Sequence, residues 1–344
     1  MNNNVKTVLD IINNKGYEAY IIGGFVRDYL LGISSNDYDI CTNCNMDVLK
    51  DILSDYKYNI ELSTIKITID DINIDITPYR KEIEYKDRKP INYIYTNYLE
   101  EDLLRRDFTI NTICMDSNLN IIDKLDGIAD LENKIINCIG NIEQKLVEDP
   151  LRILRCLRFS NKYNFNIDTK LEVFIKNNGY LVKNLSYEKR KKEIIKIIEN
   201  KGLDILINYN LDEYLELDLS NIKYYSNALT TLIKIDINNK YCVSKYENNI
   251  KRIIDVIDKE GITNYNLYKY GSVICDIYNI DSSLYNNLII HNRKDINISS
   301  YDIINIVKNE KMVEKIYTDI EKKILDGKLD NVYNKIIEYI NKIC

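Results

Sequence analysis

The sequence predicts an α+β fold: a small mixed β-sheet with helices over the first 125 residues or so, then helices alone. Two observations point there. Apolar runs with period two alternate with helical runs up to about residue 125. Beyond Leu131 nearly all apolar positions have helical spacing, interrupted only by turn signals such as Asn177-Asn178-Gly179 and Asp326-Gly327. With 344 residues, 45% apolar and 29% charged, the chain has the composition of a globular protein and room for more than one domain.

Val5, Val8, Leu9 and Ile12 make residues 3–15 an amphipathic helix. Ala19–Ile22 and Asp37–Cys41 are expected strands, with a helix over Phe25–Leu31 between them. A further helix is expected over Met46–Asp55. Ile65–Ile69 and Ile72–Ile76 alternate around Asp70-Asp71, a hairpin signature. Residues 80–90 are charged and non-periodic and end at Pro90, so they read as a mobile loop. A short helix ending at Arg105-Arg106-Asp107 should lead into strands Ile110–Met115 and Leu119–Ile122.

Ile21 to Cys41 carries the most chemistry. Side chains i and i+2 of a strand share a face, so Asp37 and Asp39 project together. Adjacent carboxylates repel unless a cation neutralises them, and a divalent metal is the natural reason to keep the pair. Asp75, on a nearby strand, is placed to add a third carboxylate. Gly23-Gly24 opens a helix with Arg27 one turn in, an arrangement suited to phosphate. A triphosphate beside a metal-binding carboxylate pair implies nucleotidyl transfer. Arg106 and Asp107 suit a phosphate and a ribose hydroxyl, although a surface ion pair is the plainer reading. Asp149 and Arg152 flank Pro150 at a helix start. Asp149 either caps that helix or acts with Arg152, one turn away, to read a base that offers an amine beside a ring acceptor. Cytosine and adenine both fit. Arg155 and Arg158 continue the basic side of the same helix.

The net charge of −6 looks unsuited to nucleic acid, yet Glu143 to Lys201 contains 14 Lys/Arg against 8 Asp/Glu. A basic middle segment of this kind is compatible with RNA. Eight cysteines spread over this length read as free and mostly buried. Zinc at Cys41-x-x-Cys44 is disfavoured, because the chain has a single histidine, His291, and no second such pair. No apolar run reaches membrane-spanning length and the N-terminus lacks a signal-peptide core, so a cytoplasmic protein is expected.

These motifs, in this order, resemble the class II tRNA nucleotidyltransferases, the CCA-adding enzymes and their poly(A) polymerase relatives. Gly23-Gly24-Phe25-Val26-Arg27-Asp28 with Asp37-Tyr38-Asp39 resembles the family's catalytic motif, and Arg105 to Asn111 its ribose-binding motif. Asp123 to Leu131 resembles the hinge, Glu148-Asp149-x-x-Arg152 the amino-acid template, Ser186 to Glu193 the helix-capping motif of the neck. Ser300-Tyr301-Asp302-Ile303 and Gly327 to Asn331 resemble the tail. Phe25 and Asp126 depart from the family, standing where a small residue and a glycine are usual.

The resemblance implies a nucleotidyltransferase head over 1–125, a helical neck with the base template over 126–202, and a tRNA-binding body and tail over 203–344. It implies addition of CCA to the tRNA acceptor arm from CTP and ATP, with two Mg²⁺ ions at Asp37 and Asp39. Gly24 and Arg27 would hold phosphates, Arg106 and Asp107 the sugar, Asp149 and Arg152 the base. Arg155 and Arg158 would supply further nucleotide contacts. No obligate protein partner is implied. A CC-adding enzyme is disfavoured because such relatives lack the segment represented here by 80–90. An A-adding enzyme and a bacterial poly(A) polymerase stay open. A non-catalytic RNA-binding module would have no reason to keep the Asp37/Asp39 pair.

Overall fold

The computed structural model describes the chain apart from residues 62, 87 and 88 and the side chains of 82–92. It divides into two compact units, Met1–Leu215 and Glu216–Cys344.

The first unit begins with α1 (Asn3–Asn14), capped by the Asn2 side chain, whose Val5, Val8, Leu9 and Ile12 are fully buried. Each such side chain contributes about 2 kcal/mol on leaving water. Then follow β1 (Ala19–Ile22), α2 (Gly24–Leu30), β2 (Asp37–Thr42), α3 (Met46–Ile52), β3 (Tyr58–Glu61), β4 (Thr64–Ile69) and β5 (Ile72–Pro78). Next come β6 (Arg80–Lys86), β7 (Lys89–Tyr95), α4 (Leu99–Leu104), β8 (Cys114–Met115) and β9 (Ile121–Ile122). The main sheet has the order β3-β4-β5-β2-β1-β8-β9. It is mixed: β2 runs parallel to β5 and antiparallel to β1. Tyr38 and Ile40 of β2 point into the core with Ile65, Ile67, Ile74 and Ile76. Asp37 and Asp39 take the other, exposed face, as the alternation requires. Leu99 and Leu103 of α4 join a second buried cluster with Ile22, Cys41, Tyr79 and Cys114.

The structure corrects three expectations. The segment expected as a loop forms strands β6 and β7, paired antiparallel from Arg80↔Tyr95 to Lys86↔Lys89 with a register shift near Glu84. Its β-branched and aromatic residues, Ile83, Tyr85, Ile91, Tyr93 and Tyr95, outweigh its charges. The expectation for residues 87 and 88 lies outside the described residues. The strand expected over Ile110–Met115 shrinks to Cys114-Met115, because Thr109–Asn111 curls into a 3₁₀ turn. Side-chain bonds drive that curl: Thr112 Oγ1 donates to the Thr109 carbonyl and Asn111 Nδ2 to Asp107. Beyond Leu131 the helices are joined by a short parallel pair, β10 (Ile135–Ile136) with β11 (Asn166–Ile167).

Helices α5 (Gly127–Glu132), α6 (Ile142–Glu148), α7 (Leu151–Tyr163), α8 (Thr169–Asn178) and α9 (Tyr187–Glu199) complete the part that carries the site. Helix α7 buries Ile153, Leu154, Cys156 and Leu157 and packs on α9, which Ser186 caps. The start of α5 is tight. A Cβ on Gly127 would lie 2.4 Å from the Thr109 carbonyl oxygen. Asp126 takes a left-handed φ of 56°. Phe25 packs against Tyr38 with ring centroids 4.3 Å apart and ring planes tilted by 31°.

The second unit contains eight α-helices among its described residues, from Ala228–Ile235 to Tyr333–Ile343. Helix Lys245–Glu260 opens with a Ser244/Glu247 capping box. Buried Asp236 accepts the backbone N–H groups of Lys240, Tyr241 and Cys242 and so fixes the preceding turn. Seven of the eight free cysteines are buried and Cys344 is exposed. Among the described residues no helix is long and apolar enough to cross a membrane.

Candidate active site

A cavity of about 500 Å³ opens between the exposed face of β2, the start of α2, the turn after α4, and helices α7 and α9. Asp37, Asp39, Gly24, Arg27, Arg106, Asp107, Asp149, Arg152, Arg155 and Arg158 all line it. The structure therefore gathers all the candidate residues on one cavity except Asp75.

Strand register builds the acidic wall. Ile22 lies opposite Asp39, so the chain leaves β1 at Gly23 directly beside that carboxylate. Gly23 has φ +78°, and a Cβ there would stand 3.9 Å from both Asp39 Oδ2 and Arg106 Nη1. Asp39 is reached by solvent from the cavity, but protein surrounds it on its other sides. That desolvation, only partly offset by Arg106 and reinforced by Asp37 and Asp75, pushes its carboxyl up to about 6. Among the described residues neither Asp37 nor Asp39 has an ion-pair partner. A carboxylate pair with no direct ion-pair partner among the described residues, facing an open cavity, fits a divalent cation. Asp75 is the register neighbour of Asp39 on β5, yet its carboxylate lies 3.5 Å from Lys66 Nζ and lines an adjoining cavity of about 360 Å³. Asp39 lines that second cavity as well, so the two cavities share its carboxylate; among the described residues no group of three or more His, Cys, Asp or Glu is gathered that could hold a metal.

The basic wall is held by buried acids. Asp102, fully buried, accepts from Arg105 Nε at 2.8 Å and Arg106 Nη2 at 3.1 Å. Burial opposes the Arg106 charge, but Asp102 outweighs it and holds that guanidinium above its usual value. Burial would likewise raise Asp107. Arg155 at 2.6 Å, Asn111 and the Phe108 amide overcome this and hold the carboxyl down at about 2. Arg158 pairs with Glu193 of α9 at 2.6 Å. Arg152 donates to the backbone carbonyls of Lys145 at 2.7 Å and Arg105 at 3.2 Å, which leaves the rest of its fork for the cavity. Asp149 is extended, and its Oδ1 accepts from Leu151 N–H at 3.2 Å, a contact of the capping kind.

Sequence reasoning missed four lining or supporting residues. Asn111 bonds both Arg27 and Asp107, and it lay inside the motif already quoted. Phe159 and Tyr163, one helical turn apart on α7, hold the Arg27 guanidinium at 5.0 and 4.6 Å from their ring centroids. Lys196 lines the cavity from α9, where a lysine among many carries no distinguishing signal.

The fold and site together define a nucleotidyltransferase: residues 19–137 match the poly A polymerase head domain. The chain is 30% identical to the CCA-adding enzyme of Staphylococcus haemolyticus, the match covering 99% of this chain and 98% of the relative. It is also 30% identical to that of Ligilactobacillus salivarius, covering 98% and 95%. The crystal structure of Bacillus stearothermophilus CCA-adding enzyme in complex with CTP superposes with a TM-score of 0.77 at 21% identity, covering 98% of this chain and 96% of that one. Thermotoga maritima CCA-adding enzyme complexed with tRNA_CCA superposes with a TM-score of 0.69 at 19% identity, covering 99% and 95%. The chain belongs to the CCA-adding enzyme family, whose chemistry depends on a divalent metal.

Proposed function

We propose that this chain builds the CCA end of tRNA from CTP and ATP without a nucleic-acid template, and that the cavity beside β2 does both the selecting and the joining. The 3′-oxygen of the tRNA attacks the α-phosphorus of the incoming nucleotide, a new P–O bond forms, and pyrophosphate leaves. Asp37 and Asp39 would hold two Mg²⁺ ions. When bound, these supply the Lewis acidity that makes the hydroxyl a better nucleophile and neutralises charge on the departing pyrophosphate.

The protein's own groups do the rest. Gly24 lets the backbone approach the triphosphate, and Arg27 and Arg106 supply positive charge beside it. Asp107, ionised through Arg155, accepts a ribose hydroxyl. Asp149 accepts from the exocyclic amine of cytosine or adenine while Arg152 donates to the adjoining ring acceptor. Uracil and guanine present the opposite pattern and leave both groups unpaired. Arg158, tied to Glu193, holds α7 to α9 beneath the nucleotide. We assign residues 1–125 to the catalytic head, 126–202 to the neck and 203–344 to the tRNA-holding body and tail, in a protein acting in the cytoplasm. Phosphate contacts from the basic neck would grip the acceptor arm by its backbone and shape.

The observation that carries this reading is the convergence of Asp37/Asp39 and Asp149/Arg152 on one cavity, with Asp107 and Arg155 between them. It is tested with tRNAs ending at the discriminator base, at C and at CC, each supplied with one nucleotide at a time. CMP should join the first two and AMP the third, with UTP and GTP unused. AMP on the third alone would make this an A-adding enzyme, and long A tails a poly(A) polymerase.

A further inference from the structure

Arg27 is held far more closely than a free phosphate ligand needs to be. Its guanidinium has five N–H donors. Nε and Nη2 donate to Asp28 Oδ1 at 2.9 and 2.8 Å, Nη2 also to Tyr163 Oη at 2.6 Å, and Nη1 to Asn111 Oδ1 at 2.5 Å. One N–H is left for the cavity. Tyr163 supplies the contact from outside the head sheet. Its hydroxyl accepts from Arg27 and donates to Asp28 Oδ1 at 2.8 Å, and burial keeps it protonated for that second bond. Arg27 and Asp28 are both buried, so these bonds act away from bulk water.

The contacts close a ring. From Tyr163 they run through Arg27 to Asn111, from Asn111 Nδ2 to Asp107 at 3.0 Å, and from Asp107 to Arg155. Arg155 and Tyr163 lie on the same helix, about two turns apart. Helix α7 is thus fastened at two points to the residues that border the carboxylate pair.

We propose that Tyr163 is a positioning residue, which aims the last free N–H of Arg27 at the triphosphate, while the separate Arg155–Asp107 pair holds the part of α7 nearer Asp149 and Arg152. This rests on the function proposed above. Because Arg27 stands at the glycine turn, away from Asp149 and Arg152, the effect is blind to the base.

Tyr163→Phe keeps the ring over the guanidinium and removes only the hydroxyl. It should lower kcat/KM for CTP and ATP by the same factor, roughly tenfold, as expected for a hydrogen bond to a charged group. The KM for tRNA should not change. In an Arg27→Met background, which keeps an apolar stem against Phe159, Tyr163→Phe should cost nothing further, because it acts through Arg27. Undiminished turnover of Tyr163→Phe, with or without a lower melting temperature, would overturn the proposal, as would an equal loss in both backgrounds. If Arg27→Met does not fold, Tyr163→Phe alone decides: an equal loss for both nucleotides supports the assignment, and no loss or a loss confined to one nucleotide refutes it. If the wild-type protein incorporates neither nucleotide, the proposed function fails on its own. The same cycle is then read in the rise of melting temperature on adding CTP with Mg²⁺, where coupling supports the proposal and additivity refutes it.

Discussion

Asp107 and Arg155, forty-eight residues apart, form an ion pair at 2.6 Å that fastens helix α7 to the turn after α4. Asp107 is nearly buried and also accepts from Asn111 and the Phe108 amide. A carboxylate so placed is charged only because its partners outweigh its desolvation. The sugar-binding group of the proposed site and the helix that reads the base are thereby one electrostatic unit.

The first prediction follows from the depressed Asp107 carboxyl, at about 2 against an ordinary 3.8. The unfolded chain takes up this proton at higher pH than the folded one. The stabilisation is therefore complete above the ordinary value and is lost as pH falls from about 4 through 2. Urea unfolding of wild type and Asp107→Asn should show a stability gap that is flat above about pH 5 and narrows by about 2 kcal/mol below it. A gap that ignores pH would mean that Asp107 is not ionised in the fold.

Asp149 and Arg152 should govern which base is used. Asp149→Ala and Arg152→Ala are expected to lower kcat/KM for CTP and ATP and to shrink their lead over UTP and GTP, a lead worth roughly 10⁴-fold where buried polar groups would be left unpaired. Because Asp149 Oδ1 also accepts from Leu151 N–H, a pure capping role has its own signature: about 1 kcal/mol of lost stability with base preference intact. Steady-state kinetics with all four nucleotides, together with a melting curve, separate the two.

Gly127 should resist substitution. A Cβ there would meet the Thr109 carbonyl oxygen at 2.4 Å and Ile113 Cγ1 at 2.9 Å, and backbone cannot step aside as a side chain can. Gly127→Ala should destabilise by about 1–3 kcal/mol. Asp126→Gly, in contrast, relieves a left-handed residue at φ 56° and should be neutral or mildly stabilising. Equal melting temperatures for Gly127→Ala and wild type would contradict the packing described at this turn.

What could be read from the sequence was what depends on near neighbours. Asp37 and Asp39 alternate with Tyr38 and Ile40, and a period of two places the acids on one face whatever the rest of the chain does. Pro150 marked the start of α7 for the same local reason. Ile110 to Met115 reads as strand because its apolar content suits one, whereas Thr109–Asn111 forms a turn. The short-range bonds of Thr112 and Asn111 that curl it leave no mark on an apolar pattern, and Asn111 meeting Arg27 and Thr109 meeting Asp130 then tie the turn to distant elements. Charges in β6 hid the β-formers that make it a strand. The arginines of α7 were read as a basic side available to ligand. Two of them are in fact neutralised by Asp107 and Glu193, across 48 and 35 residues.

The most direct test asks whether Asp37 and Asp39 serve chemistry alone. Asp37→Ala and Asp39→Ala should each bind a tRNA lacking its CCA end with wild-type affinity, keep the wild-type circular dichroism, and incorporate neither CMP nor AMP in single-turnover reactions with Mg²⁺. Loss of Asp39, whose carboxyl is raised by burial and by its acidic neighbours, should leave the metal-free protein no less stable at neutral pH. Near-normal incorporation by either variant, or an unfolded protein in place of an inactive one, would contradict the account.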